Sequence, residues 1–500
     1  MSYTVLTTPE QAAAWLRSHA NHLQTDSRQL QPGQAFVAWP GAAHDARGFV
    51  KKALDNGAAA CLVEQAGVEA FDFGEQGHSR VAVYPGLRTA TALIADAFYQ
   101  HPSQDVGVVA ITGTNGKTSS AWWLAQALSK VADAAAGCGL VGTLGVGRFV
   151  HGQAQLQYTG LTTPDPVTLQ QALRAMAEQG ARYCAMEASS IGVEEHRLDG
   201  TRVRVAVYTN FTQDHLDYHG SMEAYWQAKR ALFNWQGLQA AVVNVDDTHG
   251  AQLAQELQGQ LDVWTVSCQR DARLRASGMR YENRGLVFEL HEGSEQHTLH
   301  TALIGDYNVA NLLGVIATLR ALGYSLAQAL QACADLQAVP GRMECLGAEG
   351  QPMVAVDYAH TPDAIEKALQ ALQPLAQSRG GQLWCVFGCG GDRDPSKRPL
   401  MAQAAEAQAD RVVVTSDNPR TEDPKAIIAQ VLCGLEHTEQ VVVEADRAVA
   451  IAKAVQQATA NDVVLVAGKG HEDYQEIHGV RTPFSDQAHV QQALQQRGAA

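Results

Sequence analysis

The strongest chemical signal in the sequence is the glycine-rich segment GTNGKTS at residues 113–119. It follows the β-branched run VGVVAIT and precedes SSAWWLAQALSK, which predicts a strand, a turn and a helix. Such a turn directs backbone N–H groups toward a phosphate, and the helix N-terminus adds partial positive charge. Lys117 is then placed to reach the β- and γ-phosphates of a nucleotide, and Thr118 to offer its hydroxyl to Mg²⁺. The strict P-loop pattern requires glycine where this chain has Ile111, so the segment is a shorter variant.

Acidic residues, histidines and a lysine follow the next predicted strands. Glu187 ends ARYCAME, which suits either a Mg²⁺ ligand or an acid that caps the next helix. His215 lies in TNFTQDHLDYHG, which is compatible with a metal site or with a loop that caps a helix. Lys229 lies in the helical stretch AYWQAKRALF, where a solvated lysine is the default interpretation.

Four polar groups follow strands of a second predicted sheet. They are Asp357 to Pro362 after VAVDYA, Asp392-Arg393-Asp394 after QLWCVFG, Asp417-Asn418-Pro419-Arg420 after RVVVTS, and Gly468 to Glu472 after DVVLVAG. Because the carboxyl ends of parallel strands share one edge, we expect these groups to converge on a small-molecule site. Two arginines there suit bidentate binding of a carboxylate.

Composition and charge exclude several classes of protein. The 500 residues carry a formal charge of −15, which disfavours nucleic acid and anionic membranes as partners. No apolar run is long enough to span a membrane, and the start has no secretory pattern, so we expect a cytoplasmic protein with reduced cysteines. GCGG at 388–391 lacks the third glycine of a dinucleotide fingerprint, since Arg393 stands there, which argues against NAD.

Strands alternate with helices along most of the chain, which predicts an α/β protein with parallel sheets. The pattern restarts after Pro340-Gly341. We therefore expect three domains, over residues 1–100, 101–338 and 339–500.

A series of motifs resembles the Mur ligases of peptidoglycan synthesis, and among them the MurE type. The motifs are GTNGKTS, TNFTQDHLDYHG, GDYNVANLLG, PGRMECL, VDYAHTPDA, FGCGGDRDPSKRP, DNPRTEDP and GKGHEDY. The resemblance extends from Thr25 to Tyr474. It implies an ADP-forming ligase that adds meso-2,6-diaminopimelate to UDP-N-acetylmuramoyl-L-alanyl-D-glutamate. It also implies an N-terminal UDP-substrate domain, a central ATP-binding domain and a C-terminal Rossmann-like domain that binds the amino acid.

The same resemblance assigns roles to individual residues. Metal ligands are expected at Thr118, Glu187, His215 and Lys229, with Lys229 carbamylated to N6-carboxylysine. ATP contacts are expected at Gly113, Thr114, Asn115, Gly116, Lys117, Thr118, Ser119, Asn308, Asn311, Arg342 and Asp357. Contacts to the UDP-linked peptide are expected at Ser27, Thr162, Thr163, Ser189 and Arg197. Contacts to diaminopimelate are expected at Arg393, Asp417, Asn418, Arg420, Gly468 and Glu472, and His360 is a candidate base.

Two positions depart from the family pattern, and several alternatives stay open. Ile191 replaces a common histidine and Glu195 a common glutamine, and an acid near an anionic peptide would repel it. The same ligase could use L-lysine, although Arg393 and Arg420 favour an amino acid with a second carboxylate. A P-loop kinase or NTPase, or a regulator that only binds nucleotide, would explain GTNGKTS but leave the third-domain groups without a role. Folate polyglutamate synthesis would leave the N-terminal block without one. We expect a monomer with ATP and Mg²⁺ as cofactors.

Overall fold

The computed structural model describes residues 3–41, 44–74, 77–132, 135–282 and 285–498. The chain divides into two compact units, Met1–Arg273 with Gly314–Cys333, and Leu274–Leu313 with Ala334–Ala500. Parallel sheets with intervening helices occur in both units, so the predicted α/β class is confirmed. The domain boundaries at residues 100 and 338 stay a prediction. No helix in the described ranges combines the length and apolar character that crossing a membrane requires.

The first sheet is parallel, with strand order β1-β5-β4-β3-β2. Its elements are β1 Thr4–Val5, α1 Pro9–Arg17, β2 Leu23–Gln24, β3 Ala35–Ala38, α2 Val50–Asp55, β4 Ala60–Glu64, α3 Gly77–Arg80, β5 Val81–Tyr84 and α4 Leu87–Phe98. Alternate residues of β4 pack into two separate apolar clusters, Ala60 and Leu62 into one and Cys61 and Val63 into the other. Both faces of the sheet are therefore covered, which is why its strands read as continuous apolar runs.

The central sheet surrounds the strand that precedes the glycine-rich loop. Its elements are β6 Gly107–Thr112, α5 Lys117–Val131, β7 Cys138–Gly142, β8 Gly145–Val150, β9 Gln153–Gln157, α6 Pro166–Glu178, β10 Tyr183–Glu187, α7 Ser190–Glu194, β11 Val203–Tyr208, α8 Leu216–His219, α9 Met222–Arg230, β12 Ala240–Asn244, α10 Thr248–Leu257 and β13 Asp262–Ser267. The strand order in this unit is β13-β12-β11-β6-β10-β7-β8-β9, parallel as far as β7 and antiparallel beyond it. Strand β6 lies between β10 and β11, so the loops after these three strands are neighbours.

The second unit begins with an antiparallel ribbon, whose strands are β14 Leu274–Glu282, β15 Gly285–Glu292 and β16 Glu295–His300. Two helices follow, α11 Asp306–Ala321 and α12 Leu326–Cys333. Helix α11 begins in the second unit and ends in the first, and α12 belongs to the first. The apolar segment NVANLLGVIATLRAL, which begins at Asn308, therefore lies almost entirely in a helix, as its residue pattern predicts.

The C-terminal sheet has strand order β17-β18-β22-β19-β20-β21 and is parallel except for β17. Its elements, with those of a separate hairpin, are β17 Glu344–Leu346, β18 Met353–Asp357, α13 Pro362–Arg379, β19 Leu383–Phe387, α14 Lys397–Gln408, β20 Arg411–Val414, α15 Pro424–Leu432, β21 Val442–Val443, α16 Arg447–Gln457, β22 Val463–Ala467, β23 Tyr474–Ile477, β24 Val480–Pro483 and α17 Asp486–Gly498. Short 3₁₀ helices in the chain are Ala46–Phe49, Val68–Ala70, Pro102–Gln104, Ala231–Asn234 and Thr438–Gln440. Helices α13 and α15 begin at prolines, which suit the first turn of a helix, and Thr361 and Asp423 cap them.

Candidate active site

The glycine-rich loop connects β6 to α5 and is held by the loop after β11. Thr114 N donates to Asn210 O (2.8 Å), and Asn115 N donates to Asn210 Oδ1 (2.9 Å). At Gly113 φ is +145°, and a Cβ there would lie 1.9 Å from Thr209 Oγ1, so only glycine fits. The predicted strand, loop and helix are confirmed, with Lys117 as the first residue of α5.

Two lysine side chains meet at one carbonyl of this loop. Lys117 Nζ donates to Gly113 O (2.8 Å) and Thr114 O (2.9 Å), and Lys229 Nζ donates to Gly113 O (2.8 Å). Lys229 is only 1% exposed and lies over the Tyr225 ring, 4.2 Å from its centroid. Burial and the nearby Lys117 lower the pKa of Lys229 well below its usual value, against the opposing influence of Asp214. The prediction of a solvated lysine is wrong, because helix α9 turns this position toward the loop.

Glu187 ends β10, next to β6, and is 1% exposed. Its carboxylate accepts from Thr118 Oγ1 (2.9 Å), Thr143 N (2.8 Å) and Thr143 Oγ1 (3.3 Å). The Thr118 hydroxyl and the Glu187 carboxylate are hard oxygen donors within reach of each other, which fits Mg²⁺. The sequence did not indicate Thr143, because nothing in its local pattern marks a carboxylate partner.

His215 follows the same loop in the left-handed conformation, with φ of +51°. Its Nε2 lies 3.5 Å from Asp214 Oδ2. Burial lowers the pKa of His215, and Lys117 and Lys229 add to this, while Asp214 opposes it. His219 is turned elsewhere, toward Ser190 Oγ (3.0 Å) and Glu194 Oε2 (2.9 Å). The described residues contain no group of three His, Cys, Asp or Glu side chains arranged to hold a metal.

Four of the five residues predicted to contact the UDP-linked peptide are brought together. Thr163 Oγ1 donates to Glu187 O (2.8 Å) and accepts from Ser189 N (3.0 Å), and Arg197 Nη1 donates to Thr163 O (2.8 Å). Thr162 Oγ1 lies 3.0 Å from Thr143 Oγ1. Thr162 thus reaches the Glu187 carboxylate through Thr143, and Thr163 joins the main chain of Glu187 to Arg197. Ser27 lies in a turn of the N-terminal sheet, on a loop that Thr25 Oγ1 joins to Asp165 Oδ1 (3.2 Å).

Glu195 is surrounded by hydrogen-bond donors and positive charge. Its Oε1 lies 3.2 Å from Arg88 Nη2 and accepts from Tyr218 OH (3.2 Å). Its Oε2 lies 3.8 Å from Arg197 Nη2. The two arginines offset part of the charge of Glu195, and its effect on an anionic peptide stays a prediction.

The second unit contains the remaining predicted ATP contacts. Asn308 and Asn311 are buried one helical turn apart, and Asn311 Nδ2 donates to Asn308 Oδ1 (3.3 Å). Asp357 Oδ2 accepts from Met343 N (2.7 Å), and burial raises the pKa of Asp357, which Arg342 opposes. Arg342 stacks on the Tyr358 ring at 4.3 Å. His360 is exposed, with Nδ1 2.8 Å from Tyr358 O, and its role as a base stays a prediction.

The four polar groups of the C-terminal sheet do follow the carboxyl ends of β18, β19, β20 and β22, so their convergence is confirmed. Arg393 and Arg420 both lie near Gly390. A Cβ added to Gly390 would be 2.9 Å from Arg420 Nη1 and 3.7 Å from Arg393 Cγ. Arg420 Nη1 donates to Gly391 O (2.7 Å), while Arg393 is exposed. The Arg420 guanidinium and the Arg393 side chain therefore lie near the same glycine.

Acidic and amide groups lie beside these arginines. Asp417 packs against Gly468, where a Cβ would lie 2.4 Å from Asp417 Oδ2. Asn418 Nδ2 donates to Glu472 Oε2 (2.7 Å). Burial, and then the charge of Asp417, raise the pKa of Glu472, while Lys469 and Asn418 oppose the rise. The edge offers cationic groups for a carboxylate and Glu472 for an ammonium, which suits a zwitterionic amino acid.

Three buried cations support this edge; Lys469 lies in the predicted group from Gly468 to Glu472, whereas sequence reasoning assigned no role to Arg398 or Arg447. Arg398 donates to both oxygens of Glu422 (2.9 and 2.8 Å), and Asp392 N donates to Glu422 Oε1 (2.6 Å). Arg447 pairs with Asp486 (2.6 Å), and both side chains are 0% exposed. Lys469 is also fully buried. Buried charges are rare, so a sequence pattern assigns them to the surface by default.

Comparison with known proteins places these features in a family. Residues 111–319 match the Mur ligase middle domain, and residues 341–470 match the Mur ligase glutamate ligase domain. The chain is 59% identical over 499 residues to the UDP-N-acetylmuramoyl-L-alanyl-D-glutamate–2,6-diaminopimelate ligase of Acidovorax sp. (strain JS42), covering 99% of this chain and 98% of the relative. It is 45% identical to the protein of that name from Janthinobacterium sp. (strain Marseille), covering 99% of both.

A solved structure gives the same result. A UDP-N-acetylmuramoyl-L-alanyl-D-glutamate–2,6-diaminopimelate ligase superposes with a TM-score of 0.65 at 36% identity, covering 96% of this chain and 95% of the other. With domain matches in both units and relatives aligned along nearly the whole length, the chain belongs to the Mur ligase family.

Proposed function

We propose that this protein is the ATP-dependent, ADP-forming ligase that adds meso-2,6-diaminopimelate to the D-glutamate γ-carboxylate of UDP-N-acetylmuramoyl-L-Ala-D-Glu. The match to diaminopimelate ligases along the full chain supports the reaction class. One observation carries the choice of amino acid, namely that Arg393 and Arg420 both lie near Gly390, at the strand edge that also holds Glu472. Diaminopimelate has a carboxylate at the end where lysine has only an ammonium, and guanidinium groups pair with carboxylates.

The reaction proceeds in two steps in this proposal. The substrate γ-carboxylate attacks the γ-phosphorus of ATP, which forms an acyl phosphate and releases ADP. The amine of diaminopimelate then attacks the acyl carbon, and the tetrahedral intermediate expels phosphate as the amine loses its proton. Lys117 neutralises charge on the phosphates, and the N-terminus of α5, which begins at Lys117, adds partial positive charge. Arg197 and the hydroxyls of Thr163 and Ser189 orient the peptide.

Thr118, Glu187, His215 and Lys229 are the residues that would hold magnesium. Bound there, Mg²⁺ would neutralise phosphate oxygens. Burial lowers the pKa of Lys229, which favours its neutral amine, and only a neutral amine combines with CO₂. The carbamate that forms is an anion suited to support a cation.

The function is tested by phosphate release from ATP with the UDP-linked dipeptide present, with meso-diaminopimelate and L-lysine compared and the product mass measured. We expect release and a tripeptide product with diaminopimelate alone. Arg420→Ala should raise KM for diaminopimelate at least tenfold, while Arg411→Ala, at the opposite end of β20, should not. Activity with lysine instead would overturn the specificity, and ATP turnover without an amino acid would indicate a kinase or NTPase.

The carbamate is tested by chemical rescue. Lys229→Ala should be inactive and should regain activity with added formate, because a small carboxylate can occupy the space of the missing anion. Lys117→Ala is the matched control and should not respond, because its role requires a positive charge. Full activity of an enzyme whose Lys229 is unmodified by mass spectrometry would contradict the carbamate.

A further inference from the structure

Lys469 is a fully buried lysine, with a side chain that is 0% exposed. Its ammonium donates to Asn418 Oδ1 (2.9 Å) and lies 3.4 Å from Glu472 Oε2. The rings of Tyr474 and Phe484 border it, with centroids 5.6 and 5.9 Å from Nζ. Burying an ammonium is costly unless it is paired, so these two polar partners account for its position.

The backbone holds this lysine in place. Gly468 and Gly470, on either side, have φ of +119° and +53°. A Cβ on Gly468 would lie 2.4 Å from Asp417 Oδ2, and a Cβ on Gly470 would lie 2.7 Å from both Gly341 O and Tyr358 Cβ. Because both glycines pack closely against Asp417, Gly341 and Tyr358, the backbone on either side of Lys469 has little room to shift.

The lysine also fixes the orientation of the Asn418 amide. Asn418 Oδ1 accepts from both Lys469 Nζ (2.9 Å) and Glu476 N (2.9 Å). The amide nitrogen must then face the other way, and it donates to Glu472 Oε2 (2.7 Å). Among the described residues, the partners of Glu472 lie at Oε2, which leaves Oε1 for a ligand ammonium.

We infer that Lys469 is a positioning residue for recognition of the amino-acid substrate: its buried ammonium orients Asn418 and keeps Glu472 as the carboxylate that receives a substrate ammonium. The inference rests on the proposed function and adds a residue to it. Four other groups face or influence Glu472 besides Asn418, namely Asp417, Arg447, Tyr358 and Lys469 itself. Burial and Asp417 raise the pKa of Glu472, and Lys469 lowers it. Removing Lys469 therefore favours the protonated form of Glu472, which cannot pair with an ammonium.

The test is the KM for meso-diaminopimelate of Lys469→Met between pH 6 and 8.5, with KM for ATP and for the UDP-linked substrate measured in parallel. We expect KM for diaminopimelate to rise at least tenfold at pH 7 and the defect to shrink toward pH 8.5, with the other two KM values unchanged within twofold. Lys453→Met is the matched control, a half-exposed lysine of the same domain paired with Glu444, and it should behave as wild type. An unchanged KM for diaminopimelate, or an equal rise for all three substrates, would overturn the inference.

Two further measurements keep the test decisive. Between pH 8 and pH 6, KM for diaminopimelate should rise less steeply toward low pH in the wild-type enzyme than in Lys469→Gln, because Lys469 opposes the rise in the pKa of Glu472; an equal slope would refute the inference even if Lys469→Met fails to fold. In a double-mutant cycle, adding Lys469→Met to Glu472→Gln should raise KM for diaminopimelate by less than a further twofold. If the two single-variant effects on KM multiply fully in the double variant, the inference is wrong. If wild type shows no release that depends on diaminopimelate, the proposed function fails instead.

Discussion

Replacing Gly142 with alanine should impair the proposed phosphate and Mg²⁺ site and leave the binding of the amino acid unchanged. Gly142 ends β7 beside Glu187, and an added Cβ would lie 2.2 Å from Glu187 Oε1 and 2.9 Å from its Cδ. Contacts this short are not tolerated, and because Glu187 is 1% exposed, its carboxylate can only turn away. The carboxylate then loses the hydrogen bond from Thr143 N or the one from Thr118 Oγ1, which are 2.8 and 2.9 Å long in the unchanged protein.

The size of the effect follows from those bonds. A hydrogen bond to a charged group contributes about 1.5–3 kcal/mol, and every 1.4 kcal/mol is about tenfold in rate. We therefore expect Gly142→Ala to lower kcat about 10- to 100-fold and to raise the Mg²⁺ concentration needed for half-maximal rate. KM for the amino acid should not change, since that site lies on another sheet.

The assay is ADP release at saturating substrates across a Mg²⁺ titration. Gly314→Ala is the matched control, because a Cβ in that part of helix α11 would meet only Val207 Cγ1, at 3.9 Å. It should keep wild-type kcat and stabilise the fold by about 0.5–1 kcal/mol. Wild-type kcat and Mg²⁺ dependence in Gly142→Ala would refute the reasoning that Glu187 must keep this position.

Three further changes probe the ion pairs. Glu195→Gln removes the carboxylate that pairs with Arg88, and we expect the free energy of unfolding in urea to fall by less than about 1 kcal/mol. We also expect KM for the UDP-linked substrate to change by a larger factor than kcat. A larger change in kcat than in KM would count against a role of Glu195 in peptide binding. Arg398 lowers the pKa of Glu422 to about 2 from 4.5, so the pair stabilises the fold fully above pH 4.5 and loses this effect as pH falls toward 2. Glu422→Gln should therefore show a shallower loss of stability over that range by acid titration, and an equally steep loss would contradict the assignment. Arg447→Met leaves the buried Asp486 carboxylate without its arginine partner, so the free energy of unfolding in urea should fall by about 3–5 kcal/mol. Arg411→Ala, which changes an exposed arginine, should not show this loss.

The sequence predicted the parts of the fold that depend on local pattern. Buried parallel strands and the glycine-rich loop carry signals in their own residues, and the edge formed by the strand ends follows from the geometry of parallel sheets. Strands β9 and β16 were not predicted, because their residues are mostly polar and exposed at the edge of a sheet. The partners of Lys229, Arg447 and Lys469 depend on residues distant in sequence, and a buried lysine has the same local pattern as a solvated one.

The position of β22 determines when the C-terminal domain can fold during synthesis. This strand pairs with β18 on one side and β19 on the other, although it follows both in the chain. Until Val463–Ala467 leaves the ribosome, the two apolar strands have no common neighbour, and their open edges can pair with other chains. The long loop closure makes this a slow step, so pairing of β22 is expected to limit the refolding of this sheet, and refolding is expected to require chaperones or low protein concentration.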